Sequence, residues 1–152
     1  MTAGYRRLQK LIADDVRRDG RSVLCIGRTR EDDPSLPFAY TIGNWLLRLP
    51  ELLMIGTTHG APLNDLSQQL MERGIAFEEG ELVNLGGKFP VKIVTADQRA
   101  QRDYTIQAGQ FLGTEDYVVQ QALIPDRNGR FPDEPECQPP YSTIPVLNQR
   151  KQ

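Results

Sequence analysis

The chain has 152 residues, a formal net charge of −2, 39% hydrophobic residues and 25% charged residues. That length buries roughly two-thirds of the unfolded surface in one core without disulfides or a structural metal, and the composition is not that of a disordered chain. No apolar run reaches the ~20 residues of a bilayer helix, and basic residues scattered among acids provide no field favouring nucleic acid or anionic lipid.

Met1 to Lys10 carries charges but no apolar signal core, so a cytoplasmic location is the expectation. From Tyr5 to Asp19, apolar side chains at Tyr5, Leu8, Leu11, Ile12 and Val16 follow the spacing of an amphipathic helix over residues 4–19, and Gly20 supplies its stop. Arg6, Arg7, Lys10, Arg17 and Arg18 form either a basic interaction surface or an ordinary solvated face. A strand over 22–28, carrying Cys25, leads into a polar loop with Asp32-Asp33-Pro34 as its turn signal. Cys25 and Cys137 lack the close spacing of a zinc site, so free thiols and no metal are expected.

The organising stretch is Phe38-Ala39-Tyr40-Thr41-Ile42-Gly43, whose alternation predicts a strand over 37–44, followed by an unbroken apolar run predicting a buried strand over 51–57. Beyond it, Thr57, Thr58 and His59 lie between that strand and a helix over 62–73, where backbone N–H groups can gather an anion or small ligand. His59 also reads as a plain exposed loop residue. Strands over 81–85 and 88–95 flank Gly86-Gly87, read as a hairpin turn, with Pro90 pointing to an edge or a bulge. Glu78, Glu79 and Glu81 read as a solvated acidic cluster. Asp97 caps a helix over 98–112, a last strand covers 116–125, and the Pro-rich residues 133–152 form a tail that adds nothing to the core of a domain spanning 1–132.

Two strings, Phe38-Ala39-Tyr40-Thr41-Ile42-Gly43 with Pro50-Glu51-Leu52, and Pro125-Asp126-Arg127-Asn128-Gly129-Arg130-Phe131-Pro132, resemble the bacterial family called domain of unknown function 4262. The resemblance runs from about Val16 to Pro132 and implies no established activity. Leu49 stands where family members commonly carry a His, and Gly20-Arg21 where they carry Gly-Trp; His59 is the one histidine left to substitute.

The common signatures for phosphate binding, serine hydrolysis and zinc catalysis are missing. Asp103, Asp126, Glu51 and Glu134 supply carboxylates for acid/base work only if the fold gathers them. Tyr40, Thr41, Gly43, Asn44 and Trp45 offer aromatic surface, hydroxyl and amide groups and an open backbone, which suits a small pocket as well as ordinary core packing. The expectation is therefore a single α+β domain: a mostly antiparallel five- or six-stranded sheet with about three helices. Its function is read as non-catalytic small-ligand binding or protein interaction, with Tyr40, Thr41, Gly43, Asn44, Trp45, Thr57, His59, Asp103 and Arg130 as candidate ligand contacts. The alternative is a small enzyme using Tyr40, Thr41 and His59. A third use is presentation of the basic first helix or the tail to another protein. No cofactor, partner or oligomeric state follows from the residues.

Overall fold

The structure is a computed structural model and describes residues 3–27 and 36–148; the Asp32-Asp33-Pro34 turn lies outside the described residues. Helices α1 (Ala3–Asp19), α2 (Ala61–Arg73), α3 (Gln98–Tyr104) and α4 (Ile106–Leu112) pack on strands β1 (Ser22–Ile26), β2 (Phe38–Ile42), β3 (Glu51–Ile55), β4 (Leu82–Val83), β5 (Val91–Thr95) and β6 (Val119–Leu123). The strand order is β1-β2-β3-β6-β5-β4. Neighbours run antiparallel except β3 and β6, which pair in parallel with Glu51 opposite Val119 and Leu53 opposite Gln121. This is the expected mostly antiparallel α+β domain.

Each sheet face is covered by a different set of elements. On one side the stripe Leu63, Leu66 and Leu70 of α2 meets Ala39, Leu52, Met54, Ile93 and Ala122. On the other, Ile12 of α1 and Ala108 of α4 meet Tyr40, Ile42, Leu53, Ile55 and Val119. Leu8, Ile12 and Val16 fill the helical stripe of α1. Leu11, expected inward, is 54% exposed, because the i, i+4, i+8 row already occupies the narrow contact with the sheet. The basic residues of α1 largely face acids of their own helix: Lys10 and Arg17 pair with Asp14, and Arg18 with Asp15 and Asp19.

Three expectations are corrected. The helix over 98–112 is two helices, separated at Thr105 (φ −118°), whose hydroxyl donates to the Gln101 carbonyl at 2.6 Å and lies 2.7 Å from the Tyr117 hydroxyl. A threonine bonding back to the carbonyl four residues earlier competes with the helical ladder. The β4–β5 hairpin turns over residues 84–90, wider than Gly86-Gly87, since Leu82 pairs with Lys92 and Val83 with Val91. Pro90, with no N–H to give, precedes β5, and Phe89 leaves the ladder to pack on Gly129. The C-terminal segment does build core: Ile144 and Leu147 are 7% and 8% exposed within the cluster around Tyr40 and Leu53.

Two buried glutamines in β6 attach the non-strand segments. Gln120 accepts the Phe77 N–H at 3.1 Å and donates to the Phe77 carbonyl at 2.8 Å. Gln121, facing the other way, accepts the Leu147 N–H at 2.9 Å and donates to the Pro145 carbonyl at 2.7 Å. A side-chain amide offers the same donor and acceptor as a backbone peptide, so each glutamine makes a substitute strand bridge where a proline-rich or looping chain has no ladder.

Candidate functional site

The string Thr41-Ile42-Gly43-Asn44-Trp45 and the dipeptide Pro50-Glu51 meet at one end of β2 and β3. Gly43 (φ 131°) turns the chain into a short 3-10 turn over Asn44–Leu47. A Cβ there would lie 2.7 Å from the Gly20 carbonyl oxygen, so both the dihedral and the space require glycine. The turn begins with three unpaired N–H groups, and the fully buried Glu51 carboxylate takes all three: Gly43 at 2.9 Å and Trp45 at 3.1 Å on Oε2, Asn44 at 3.2 Å on Oε1. The Thr41 hydroxyl donates to Oε1 at 2.7 Å while accepting the Leu52 N–H at 2.9 Å. The Asn44 amide donates to the Pro50 carbonyl at 3.2 Å and to the Ser67 hydroxyl at 3.1 Å. Burial pushes the Glu51 carboxyl above its ordinary value, and the N–H and hydroxyl donors pull it partly back.

This arrangement occupies its polar groups on one another. Thr41 and Asn44 are 0% exposed and Tyr40 is 2% exposed, its hydroxyl accepting the Gln107 N–H at 3.3 Å. Burial also raises the Tyr40 hydroxyl well above the normal phenol range. Among the described residues, the buried Asn44 Oδ1 and Trp45 Nε1 lack a partner. Trp45 is half-buried, and the Arg48 guanidinium stands 5.4 Å from its ring centroid.

A different environment exists at the other end of β3, about 16 Å away at 3.3 Å per strand residue. Since β3 and β6 are parallel, both carboxyl ends emerge there, the arrangement at which open sheets containing parallel strands form crevices. Gly56 follows β3 and donates to the Pro37 carbonyl at 2.7 Å. Beyond β6, Asp126 anchors a tight turn: Oδ1 accepts the Asn128 and Arg130 N–H groups, each at 2.8 Å, and Oδ2 accepts the Gln138 N–H at 2.9 Å. Gly129 within it presses on the Phe89 ring, 2.8 Å from where a Cβ would sit. Asp126 is 3% exposed, and burial works against its charge, yet the three backbone donors carry its carboxyl below the ordinary value.

Two open cavities adjoin at this end. One, of about 410 Å³, is lined by Asp126, Arg127, Gln138, Pro139, Pro140 and Tyr141. The other, of about 320 Å³, is lined by Leu36, Pro37, Gly56, Pro140, Tyr141 and Ile144. Pro140, joined to Pro139 by a cis peptide bond, and Tyr141 belong to both, so the cavities form one groove with a polar and an apolar half.

The candidate residues therefore divide between two ends of the sheet. Thr41, Gly43, Asn44 and Trp45 lie around Glu51, whereas Tyr40 pairs with Leu53 in the middle of β3 and turns its hydroxyl to Gln107; Thr57 and His59 follow Gly56, with His59 exposed and its N–H on the Thr57 hydroxyl at 3.0 Å. Arg130 sits on the Asp126 turn and pairs with Glu134 at 3.5 Å. Asp103 lies exposed on α3, apart from both. The four carboxylates considered for acid/base work do not gather: Asp126 and Glu134 hold neighbouring parts of one turn, while Glu51 and Asp103 lie elsewhere. His59 does not take the place of a histidine at position 49 either, since Leu49 is buried before β3 and His59 lies beyond its end. Among the described residues, no cluster of His, Cys, Asp and Glu is arranged to hold a metal, and no helix is long and apolar enough to cross a membrane. Sequence reasoning passed over Gln138, Tyr141 and Ile144, whose sole signal was their place in a proline-rich stretch.

Fold and site together define a small α+β domain with a closed carboxylate-capped turn at one end and an open groove at the other. The chain belongs to the family described as Domain of unknown function (DUF4262), whose model matches residues 15–138. That span contains both the Glu51 turn and the Asp126 turn. No curated protein and no solved structure matches the chain.

Proposed function

We propose that the chain is a cytoplasmic, non-catalytic domain that binds a small ligand in the groove at the carboxyl ends of β3 and β6. The observation that carries this reading is the pair of cavities meeting at Pro140 and Tyr141, beside a carboxylate fixed by three backbone N–H groups. Small-molecule sites are concave, largely apolar and given direction by a few fixed polar groups, and this groove has that composition. The free thiols of Cys25 and Cys137 suit a reducing compartment. Catalysis is less well supported, because the buried Tyr40 and Thr41 hydroxyls are engaged by Gln107 and Glu51, while His59 lies exposed beyond the end of β3.

The test is a thermal-shift screen of the full chain against a panel of metabolites and cofactors, repeated with Tyr141→Ala. At least one compound should raise Tm in the wild type and lose most of that effect in the variant. No stabilising compound, or one whose effect survives Tyr141→Ala and Arg127→Ala, would count against the groove. A protein-interaction role is the second reading, favoured by Leu46 and Leu47, 57% and 62% exposed on the turn beside Trp45. It predicts a specific macromolecular partner whose capture is abolished by Leu46→Glu.

A further inference from the structure

The two halves of the groove differ in chemistry, and the difference specifies a ligand. In the polar half an acid and a base adjacent in sequence line one cavity: Asp126, 3% exposed, and Arg127, which is exposed. The carboxylate is held rigidly but is not saturated. A carboxylate has about four acceptor positions; Oδ1 uses two of them on Asn128 and Arg130, and Oδ2 uses one on Gln138. Arg130, the other cation on this turn, is engaged by Glu134 at 3.5 Å, whereas Arg127 makes no ion pair with a described residue. The second half is walled by Leu36, Pro37 and Ile144 with Gly56 at its edge, and Tyr141 separates it from the charged half.

We infer that the groove binds a zwitterionic α-amino acid with a large apolar side chain, its ammonium group on Asp126, its carboxylate on Arg127 and its side chain in the Leu36–Ile144 half. This rests on the groove being the ligand site, as proposed above. The two charges of such a ligand sit on one carbon, and the two protein charges that complement them sit on consecutive residues of one tight turn. The Gly129 N–H closes that turn on the Asp126 carbonyl at 3.0 Å, which fixes the backbone that carries both side chains. An inorganic anion would be repelled by Asp126, and a purely apolar molecule would leave both charges of the first cavity unmet. The apolar half, about 320 Å³, has room for a branched or aromatic side chain.

The experiment titrates the full chain with L-leucine, L-phenylalanine, glycine, N-acetyl-leucine and leucine amide, followed by calorimetry and by ¹H–¹⁵N chemical shifts. Leucine or phenylalanine should bind with shifts at Gly56, Arg127, Gln138 and Tyr141, and glycine at least tenfold more weakly. N-acetyl-leucine, without the ammonium, and leucine amide, without the carboxylate, should each lose about tenfold or more, the scale of a charge-assisted hydrogen bond. Arg127→Ala, an exposed position that leaves the Asp126 bonds intact, should reduce leucine affinity similarly while leaving leucine amide unaffected. Equal binding of leucine amide or of a Leu-Gly peptide would overturn the free amino acid as ligand. If another panel compound shifts Tyr141 and Gln138 while no amino acid does, this inference fails and the groove stands. If nothing shifts those residues, both fail.

Discussion

Glu51 and Asp126 perform one local task in opposite surroundings. Each carboxylate stands in a family motif and collects three N–H groups, from residues 43–45 in one case and, in the other, from residues 128 and 130 of its own turn and from residue 138 beyond it. Glu51 is sealed inside the sheet end, and desolvation raises its carboxyl above the ordinary value; Asp126 borders an open cavity, and the same kind of donors lower its carboxyl. The same donors thus leave a carboxyl raised where desolvation outweighs them and lowered where they outweigh desolvation.

The comparison breaks most readily at Glu51. Glu51→Ala leaves two buried N–H groups, the part-buried Trp45 N–H and the Thr41 hydroxyl without this acceptor, and should cost about 3–5 kcal/mol in urea unfolding. A loss under 1 kcal/mol would mean that water replaces the carboxylate. Next in size is Gln120→Leu, which strips the Phe77 peptide of both partners and should cost about 2–3 kcal/mol by the same measurement. Gly129→Ala forces a residue with a Cβ into φ 82° and against Phe89, for about 1–2 kcal/mol. Leu46→Glu, on the exposed turn, should change stability by no more than about 0.5 kcal/mol.

Protonation sharpens the contrast, because the two carboxyls move in opposite directions. Glu51, raised in the folded state, holds its proton more tightly there than in the unfolded chain. Its contribution is therefore fullest below pH 4.5 and falls as pH rises through its folded pKa. Asp126, lowered, contributes fully above pH 3.8 and loses that contribution as pH falls through its folded pKa. Unfolding of the wild type, Glu51→Gln and Asp126→Asn between pH 3 and pH 7 should give difference curves of opposite slope. Parallel curves would contradict the assignment of one closed and one open site.

Much of the fold was legible because its signals are local. The alternation of Phe38 to Ile42, the apolar run Leu52 to Ile55 and the α2 stripe each state their own geometry within a few residues. What was not legible depends on distant partners. Nothing near Glu51 in the chain indicates that its carboxylate turns back onto residues 43–45, and the parallel pairing of β3 with β6 joins segments more than sixty residues apart. Ile144 and Leu147 stand singly among prolines and polar residues, without any period, and join the core where Gln121 and the Asp97 N–H hold the segment that carries them. The candidate site split for the same reason: residues near one another around β3 in sequence lie at its two ends in space.

The central claim is that binding belongs to the open end and structure to the closed one. A single ¹H–¹⁵N titration of the full chain with L-leucine tests it. The account predicts shifts concentrated at Gly56, Arg127, Gln138 and Tyr141, with Gly43, Asn44 and Trp45 unmoved; shifts at those three residues with a silent groove would contradict it.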